Sequence, residues 1–264
     1  HKASYVHSYD VVAGIKKGGT LLLNCEWTAE ELSEQLPAAM KQYIAKNNIN
    51  LYIIDAVKIG KEIGLGARIN MVMQAAFFKL ANIIPIDEAV KYMKDAIEHS
   101  YGKKGQAVVD MNYAAVDAGV NAVVKVAVPE AWATAEDTKA AAKTGNDFVD
   151  KIMVPMNRLE GDKLTVGDLM TVNDGTFPSG TSAYEKRGVA LDVPEWNPDT
   201  CIQCNQCAFV CPHAAIRPVL MDEAEAAAAP AIMAKKPAIG AKGMTFTINV
   251  SPLDCLGCGN CAQF

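Results

Sequence analysis

Seven of the eight cysteines in this 264-residue chain lie in two tight groups near its carboxyl end. The first group, "CIQCNQCAFVCP", begins at Cys201 and has the spacing C-x2-C-x2-C-x3-C-P. The second group, "CLGCGNC", begins at Cys255 and repeats the first three cysteine positions. Gaps of two residues let a chain wrap one corner of an iron–sulfur cube, with thiolates directed inward and backbone N–H groups directed at the sulfides. The spacing therefore predicts a region that folds around two 4Fe–4S clusters.

Bacterial ferredoxins with two clusters use the same spacing, and the fourth cysteine of each run binds the other cluster. Pro212 is expected to help turn Cys211 away from the three cysteines before it. Under this crossed arrangement, Cys211 completes the cluster held by the second group. The cluster held by the first group takes a fourth cysteine, expected immediately after Phe264. The predicted metal ligands are Cys201, Cys204, Cys207, Cys211, Cys255, Cys258 and Cys261.

Clustered cysteines have two alternative explanations besides iron–sulfur ligation: structural zinc and a disulfide framework. Structural zinc also accepts four cysteines, although zinc ribbons usually present two C-x2-C pairs and not two consecutive triplets. A disulfide framework is typical of small secreted domains, whose cysteines are spread through their loops. We expect free thiols that capture iron. Such thiols indicate a reducing compartment, so a cytoplasmic protein is expected.

The net charge and the hydropathy of the chain argue against two classes of partner, nucleic acids and membranes. The formal net charge is -5 and no basic run is present, which argues against nucleic acid as a partner. No apolar stretch approaches the roughly 18 residues needed to span a bilayer, and no signal peptide is visible, so no membrane association is expected. The chain begins at His1 and not at a methionine, and we expect it to be an internal piece of a longer protein.

Short apolar strands alternate with helical patterns through residues 1–155. Thr28 and Glu31 form a predicted capping box, and Pro37 is expected to kink or split the helix that follows. This alternation predicts a Rossmann-like open α/β sheet with helices on both faces. Residues 156–194 are predicted to be an irregular connector, and residues 195–264 an α+β domain like that of bacterial ferredoxins. The predicted strands are 4–8, 20–24, 50–56 and 244–250, and the predicted helices are 29–46, 68–84, 88–99 and 106–119.

Five segments together resemble the pyruvate:ferredoxin (or flavodoxin) oxidoreductases, a family of thiamine-diphosphate enzymes that oxidise 2-oxoacids. The segments run through nearly the whole chain, and their order matches the order in the family. None of those before Cys201 is diagnostic alone, whereas the ordered set is highly specific. The segments are "YDVVAGIKKGGTLLLN", "IGKEIGLGARINMVMQAAFFKLANIIP", "DEAVKYMKDAIEHSYGKKG", "DGTFPSGTSAYEKRGVA" and "CIQCNQCAFVCPHAAIRP".

The resemblance implies that residues 1–155 form the gamma module of the family, and that the last domain carries the two clusters distal to thiamine diphosphate. It implies an oxidoreductase that converts pyruvate and coenzyme A to acetyl-CoA and CO2 and passes electrons through 4Fe–4S clusters to ferredoxin or flavodoxin. Thiamine diphosphate, Mg and the pyruvate pocket are expected in other domains of a homodimeric enzyme, so no catalytic residue is expected here. The rivals are a separate gamma/delta-type electron-transfer subunit and a ferredoxin fused to an unrelated domain.

The segment "GLGARIN" has two interpretations. Glycines near a helix start expose N–H donors to an anion, and the resemblance implies that coenzyme A contacts this module. The alternative is a tight turn between two helices, in which Arg68 and Asn70 have capping roles. The candidate coenzyme A contacts are Gly64, Gly66, Arg68 and Asn70, with Arg68 as the cation.

Two further features are assigned structural roles. Glu185, Lys186 and Arg187 are predicted to form a surface ion-pair patch on the connector that contributes little stability. Cys25 is predicted to be a small buried residue and not a reactive thiol.

Overall fold

The chain separates into two compact units in the computed structural model, which describes residues 2–136 and 143–263. The first unit comprises residues 1–176 and the second residues 177–264. Within the described ranges, no helix combines the length and the apolar character that crossing a bilayer requires.

The first unit contains a small mixed sheet. β1 (Thr20–Asn24) and β2 (Asn50–Ile54) run parallel, with Thr20 opposite Asn50 and Asn24 opposite Ile54. β3 (Val124–Lys125) pairs antiparallel with β2, which places β2 in the middle of the sheet. The central strand is the most buried of the three, as its nearly continuous apolar sequence predicts.

Helices are the main regular elements in the remainder of the first unit. The three longest pack against one another through small and branched side chains, among which Ala75, Val109 and Val116 are fully buried. The helices are α1 (Tyr5–Ser8), α2 (Leu32–Gln35), α3 (Ala38–Lys46), α4 (Ala56–Ile63), α5 (Asn70–Ala81), α6 (Ile86–Tyr101), α7 (Gln106–Asn121) and α8 (Val154–Asn157).

Side-chain hydrogen bonds connect the end of the sheet to α4. The Asn24 side chain is buried, and its Oδ1 accepts a hydrogen bond from the Ala56 N–H at 2.9 Å. Asp55 Oδ1 accepts from the Lys58 N–H at 2.9 Å and so caps the helix. These two acceptors satisfy N–H groups that a helix start leaves without partners.

The α/β class of this unit is confirmed, whereas the predicted strand at residues 4–8 is wrong. Residues 5–8 form α1, in which the Tyr9 N–H donates to the Tyr5 carbonyl at 2.9 Å. The rings of Tyr5 and Tyr9 meet edge to face with centroids 5.2 Å apart. Five residues are too few for periodicity to separate a short strand from one helical turn.

The predicted helix at residues 29–46 is split in two. The two hydrogen bonds of the predicted capping box are present: the Thr28 N–H donates to Glu31 Oε2 at 2.8 Å, and the Glu31 N–H donates to Thr28 Oγ1 at 3.3 Å. The N-cap of α2 is nevertheless Glu31 and not Thr28. The first helix, α2, ends before Pro37, which occupies the N-cap of α3. The split has the cause expected from the sequence, since proline lacks the N–H that would continue the first helix.

The second unit is built on an antiparallel sheet with the strand order β4-β6-β5. Its core consists of Ile216, Phe246 and Ile248, against which Trp196 packs. The predicted strand at residues 244–250 is confirmed as β6. The elements are β4 (Ile216–Met221), β5 (Lys236–Pro237), β6 (Thr245–Val250), α9 (Gln206–Phe209) and α10 (Glu223–Ala228).

The segment between α8 and the first cysteine group has no strand and consists of short 3₁₀ turns at 161–163, 168–172 and 181–184. Local hydrogen bonds order this segment: the Thr165 N–H donates to Asp168 Oδ2 at 2.8 Å, and the Thr176 N–H donates to Asp174 Oδ1 at 3.0 Å. None of its described residues is fully buried. The irregular character is as expected, and the boundaries at 155/156 and 194/195 stay predictions.

Gly119→Ala tests the close approach of α7 to α5. A Cβ at residue 119 would collide with the Val72 carbonyl oxygen and lie 2.9 Å from Ala75 Cβ. We expect a loss of about 1–3 kcal/mol in the free energy of unfolding from overpacking, although alanine favours helices over glycine. Urea denaturation measures the change. The control is Gly102→Ala, whose Cβ would lie 3.5 Å from its nearest neighbour, and equal midpoints for the two variants would contradict the prediction.

Candidate metal centre

The register of the second sheet brings the two cysteine groups together. Ile216 at the start of β4 lies opposite Val250 at the end of β6. Cys211 precedes β4 by five positions, from 211 to 216, and Cys255 follows β6 by five positions, from 250 to 255. The Ser251 N–H donates to the Ala215 carbonyl at 2.8 Å and extends the ladder by one step toward both groups. An antiparallel pair in this register places the two groups at the same end of the sheet.

Left-handed backbone at matching positions turns the chain around each group. Gln203 and Asn205 both have a φ of 60° in the first group. The equivalent residues of the second group are Gly257 and Gly259, with φ values of 67° and 78°. This conformation is open to glycine and uncommon for other residues. The two groups therefore share left-handed residues at two matching positions despite their different sequences.

Four cysteines line a single cavity, and we call them the four-cysteine site: Cys211, Cys255, Cys258 and Cys261. The cavity has a volume of about 200 Å³, and Pro194 and Ile216 contribute to its walls. The pKa of Cys261 is raised by burial and by the negative charges of the other three members. The structure thus brings Cys211 together with the second group. Whether the four bind iron stays a prediction.

The other three cysteines, Cys201, Cys204 and Cys207, form the three-cysteine site. The pKa of Cys207 is raised by burial and by the charges of Cys201 and Cys204. Cys204 is exposed, whereas Cys201 and Cys207 are partly buried. Neighbouring thiolates repel one another in both sites, and bound iron would offset that repulsion because a metal ion is the largest positive charge in such a site.

Backbone N–H groups face several of the sulfur atoms. The Ala215 N–H donates to Cys211 Sγ at 3.3 Å, the Gln203 N–H to Cys201 Sγ at 3.3 Å and the Gly257 N–H to Cys255 Sγ at 3.4 Å. Burial opposes the ionisation of Cys211, but the N–H groups of residues 213–216 together lower its pKa. Hydrogen bonds of this kind stabilise a thiolate, and around a bound cluster they tune its potential.

Trp196 presents a buried donor beside the cysteines. Its Nε1 has no hydrogen-bond partner within the described part of the chain. Its ring meets the Phe246 ring edge to face, with centroids 5.9 Å apart. Cysteines of both groups pack against the same core. A buried donor without an acceptor costs about 1–3 kcal/mol, which a bound group with an acceptor at this point would offset. This free donor and the thiol-only donor sets fit an iron–sulfur cluster.

Among residues 2–136 and 143–263, no three or more Asp, Glu, His or Cys side chains are spaced to hold a single metal ion. A 4Fe–4S cluster does not need such convergence, because each of its four thiolates binds a different iron.

The segment between β4 and β6, residues 222–244, which we call the insert, is hydrogen-bonded to the first cysteine loop. Gln203 Nε2 donates to the Pro237 carbonyl at 2.7 Å, and Gln203 Oε1 accepts from the Ile239 N–H at 2.8 Å. Lys236 Nζ donates to the carbonyls of Pro198 and Cys201 at 2.5 and 2.7 Å. Sequence reasoning missed these contacts, because the partners lie more than 30 positions apart and follow no motif.

The predicted ion-pair patch on the connector is only partly correct. Arg187 and Glu185 do form an exposed pair at 3.7 Å. Lys186 does not join them: its Nζ lies 2.6 Å from Oδ2 of Asp254, whose side chain is 13% exposed. Exposed ion pairs contribute little stability. The Asp254 side chain, at 13% exposed, is more shielded from water than that of Glu185, at 36%.

The "GLGARIN" segment forms a turn between α4 and α5. Gly64 ends α4 with a φ of 90°, and the Leu65 N–H donates to the Gly60 carbonyl at 2.8 Å, as in a Schellman motif. The predicted capping by Arg68 and Asn70 is wrong, because Ile69 is the N-cap of α5 and no side chain caps the helix. Gly64 thus has a structural role, and the coenzyme A contacts stay predictions.

Lys236→Met is expected to destabilise the second unit. The carbonyls of Pro198 and Cys201 would lose a charged donor, which corresponds to about 1.5–3 kcal/mol per hydrogen bond. Thermal unfolding measures the effect, and Lys235→Met is the control because Lys235 donates to the Ala226 carbonyl within the insert. Equal melting temperatures for the two variants would contradict a role for Lys236 at the cysteine loop.

Comparison with known proteins relates both units to one family. Residues 1–122 match the family described as pyruvate ferredoxin/flavodoxin oxidoreductase, residues 134–190 match EKR, a domain of unknown function, and residues 200–264 match the 4Fe-4S dicluster domain. The chain is 58% identical over 260 residues to a pyruvate-flavodoxin oxidoreductase of Enterobacter agglomerans. It is 54% identical over 266 residues to the pyruvate:ferredoxin oxidoreductase of Moorella thermoacetica. These alignments cover 98% and 100% of this chain but 22% of each relative. The chain thus spans about a fifth of the relatives' length, and it belongs to the pyruvate ferredoxin/flavodoxin oxidoreductase family.

Proposed function

We propose that the chain is the part of a pyruvate:ferredoxin/flavodoxin oxidoreductase that relays electrons to a soluble carrier. The complete enzyme converts pyruvate and coenzyme A to acetyl-CoA and CO2, and the two electrons released reduce ferredoxin or flavodoxin. The observation that carries the proposal is the four-cysteine cavity, within a segment that matches the 4Fe-4S dicluster domain. Relatives that align with this chain along its whole length bear the names of such enzymes.

The four-cysteine site is proposed to hold one complete cluster. The three-cysteine site is proposed to supply three of the four thiolates of a second cluster, and the fourth comes from outside the chain. A bound cluster supplies one-electron transfer without proton transfer. The chain's own contribution is to hold iron through thiolates, direct N–H groups at sulfur and limit the access of water. Cys211 is well suited to a crossed role, since backbone donors already favour its thiolate.

Thiamine diphosphate, Mg and pyruvate are proposed to bind to other parts of a homodimeric enzyme, and we assign no residue of this chain to them. Continuous alignment of residues 1–264 with single polypeptides supports a fused enzyme over a separate gamma/delta-type subunit. A reducing cytoplasm is the proposed location, because the cysteines must reach iron as thiolates.

Cysteine substitution in the complete enzyme tests the relay. Cys255→Ser is expected to remove or destabilise one cluster, with a loss of up to about four iron atoms per chain. Pyruvate-dependent reduction of flavodoxin or ferredoxin should fall with it. Iron and sulfide analysis, EPR of the reduced enzyme and carrier reduction are measured together. Cys25→Ser is the control, since Cys25 is buried in the first unit, whereas both cysteine groups belong to the second.

Unchanged iron content and EPR in Cys255→Ser would refute the assignment of this site. Stoichiometric zinc, with no EPR signal on reduction, would refute the iron–sulfur assignment as a whole.

The coenzyme A contact is proposed for Arg68, which is exposed in the turn before α5. Arg68→Ala is expected to raise the KM for coenzyme A several-fold and to leave the KM for pyruvate unchanged, because the substitution removes a cation from a phosphate contact. Steady-state kinetics of the complete enzyme measure both constants. Lys103→Ala is the control, since Lys103 is another exposed cation of the first unit. An unchanged KM for coenzyme A would rule out this contact.

A further inference from the structure

Asp254, the residue before Cys255, lies at the centre of a charged network. Its Oδ2 accepts hydrogen bonds from Lys186 Nζ at 2.6 Å and from Ser251 Oγ at 2.7 Å. Arg217 Nη2 donates to the same oxygen at 3.3 Å. Hydrogen bonding to Lys186 and Ser251 and the nearby charges of Lys186 and Arg217 keep the pKa of Asp254 below its usual range. One carboxylate thus gathers two cations and a hydroxyl.

Arg217 connects the two chain segments that contribute to the four-cysteine site. Its Nε donates to the Ala214 carbonyl at 3.1 Å. The neighbouring Ala215 N–H donates to Cys211 Sγ at 3.3 Å. The guanidinium therefore joins the loop that surrounds Cys211 to the carboxylate that precedes Cys255. This link involves side chains and adds to the backbone pairing of β4 with β6.

Lys186 adds a third segment, at the end of the region that matches EKR. Next to it, the Gly188 N–H donates to the Leu253 carbonyl at 3.0 Å. A Cβ at Gly257 would lie 3.4 Å from Ala190 Cα and from the Asp192 carbonyl oxygen, so the chain passes close to the second cysteine loop. Asp192, Val193 and Pro194 then form part of the cavity wall.

We propose that residues 186–194 act as a strap over the four-cysteine site, and that Lys186, Arg217 and Asp254 are positioning residues for its cluster. This inference rests on the proposed cluster ligation and extends it, since it gives a role to the end of a domain whose function is unknown. The strap limits water access on one side of the cavity. The network sets the position of Cys255 relative to Cys211 and balances charge beside the metal.

The charges of Lys186, Arg217 and Asp254 predict how substitutions would change the midpoint potential of the cluster. Reduction adds negative charge to a cluster, so an uncompensated anion nearby disfavours it and an uncompensated cation favours it. Lys186→Met leaves Asp254 with one cation fewer, which should shift the midpoint potential of this cluster to more negative values. Asp254→Asn leaves both cations without their carboxylate, which should shift it to more positive values. The double variant should lie between the two.

The test uses the complete enzyme with EPR-monitored redox titration of each cluster, together with iron analysis. Lys186→Arg keeps the cation and should retain a potential close to that of the wild type. Arg187→Met is the matched control, because this adjacent cation is 73% exposed and pairs with Glu185. Unmoved potentials in both single variants, or shifts of the same sign, would overturn the proposal.

The iron content of Cys255→Ser and the potentials of Lys186→Met and Asp254→Asn test the ligand assignment and the positioning network separately. If Cys255→Ser loses a cluster while Lys186→Met and Asp254→Asn keep wild-type potentials, the ligand assignment stands and the positioning network fails. If Cys255→Ser keeps all its iron, the ligand assignment fails first and the network falls with it.

Discussion

The meeting of two separate cysteine groups at one end of an antiparallel sheet is the constraint on which the second unit depends. Cys211, Cys255, Cys258 and Cys261 line one cavity, and the pKa of Cys261 is raised by burial and by the charge of its neighbours. The fold holds these groups together with an antiparallel sheet, with backbone N–H groups directed at sulfur, and with a salt-bridge network between segments. A bound metal would supply positive charge beside the cysteine sulfurs.

The sheet and the loops contribute in different ways. Pairing of β4 with β6 brings together two segments that are 34 positions apart, from Ile216 to Val250. The loops then orient the thiols, with left-handed residues at matching positions of both groups. In the second group these residues are glycines, whereas the first group uses Gln203 and Asn205. Gln203 also bonds the insert, so the less favourable conformation coincides with a side chain that has a structural role.

Much of the first unit could be predicted, and the exceptions have physical causes. Continuous apolar runs predicted β1 and β2, because a parallel pair buried in an α/β unit needs no polar face. Pro37 predicted the break between α2 and α3. The strand expected at residues 4–8 is a helix, since five residues hold too little periodicity. Long-range contacts such as that of Trp132 Nε1 with Ser33 Oγ at 3.0 Å, 99 positions apart, follow no local pattern.

The sequence by itself determined the class of site, because cysteine spacing is a local property and two-residue gaps already limit how a chain can surround a metal. It also identified the family through an ordered set of segments. Only the tertiary structure decided which distant groups meet: Lys186 with Asp254, Arg217 with the same Asp254, and Lys236 with Cys201. Those partners are set by strand register and loop path. A charged residue's own sequence neighbourhood therefore does not reveal what its side chain contacts.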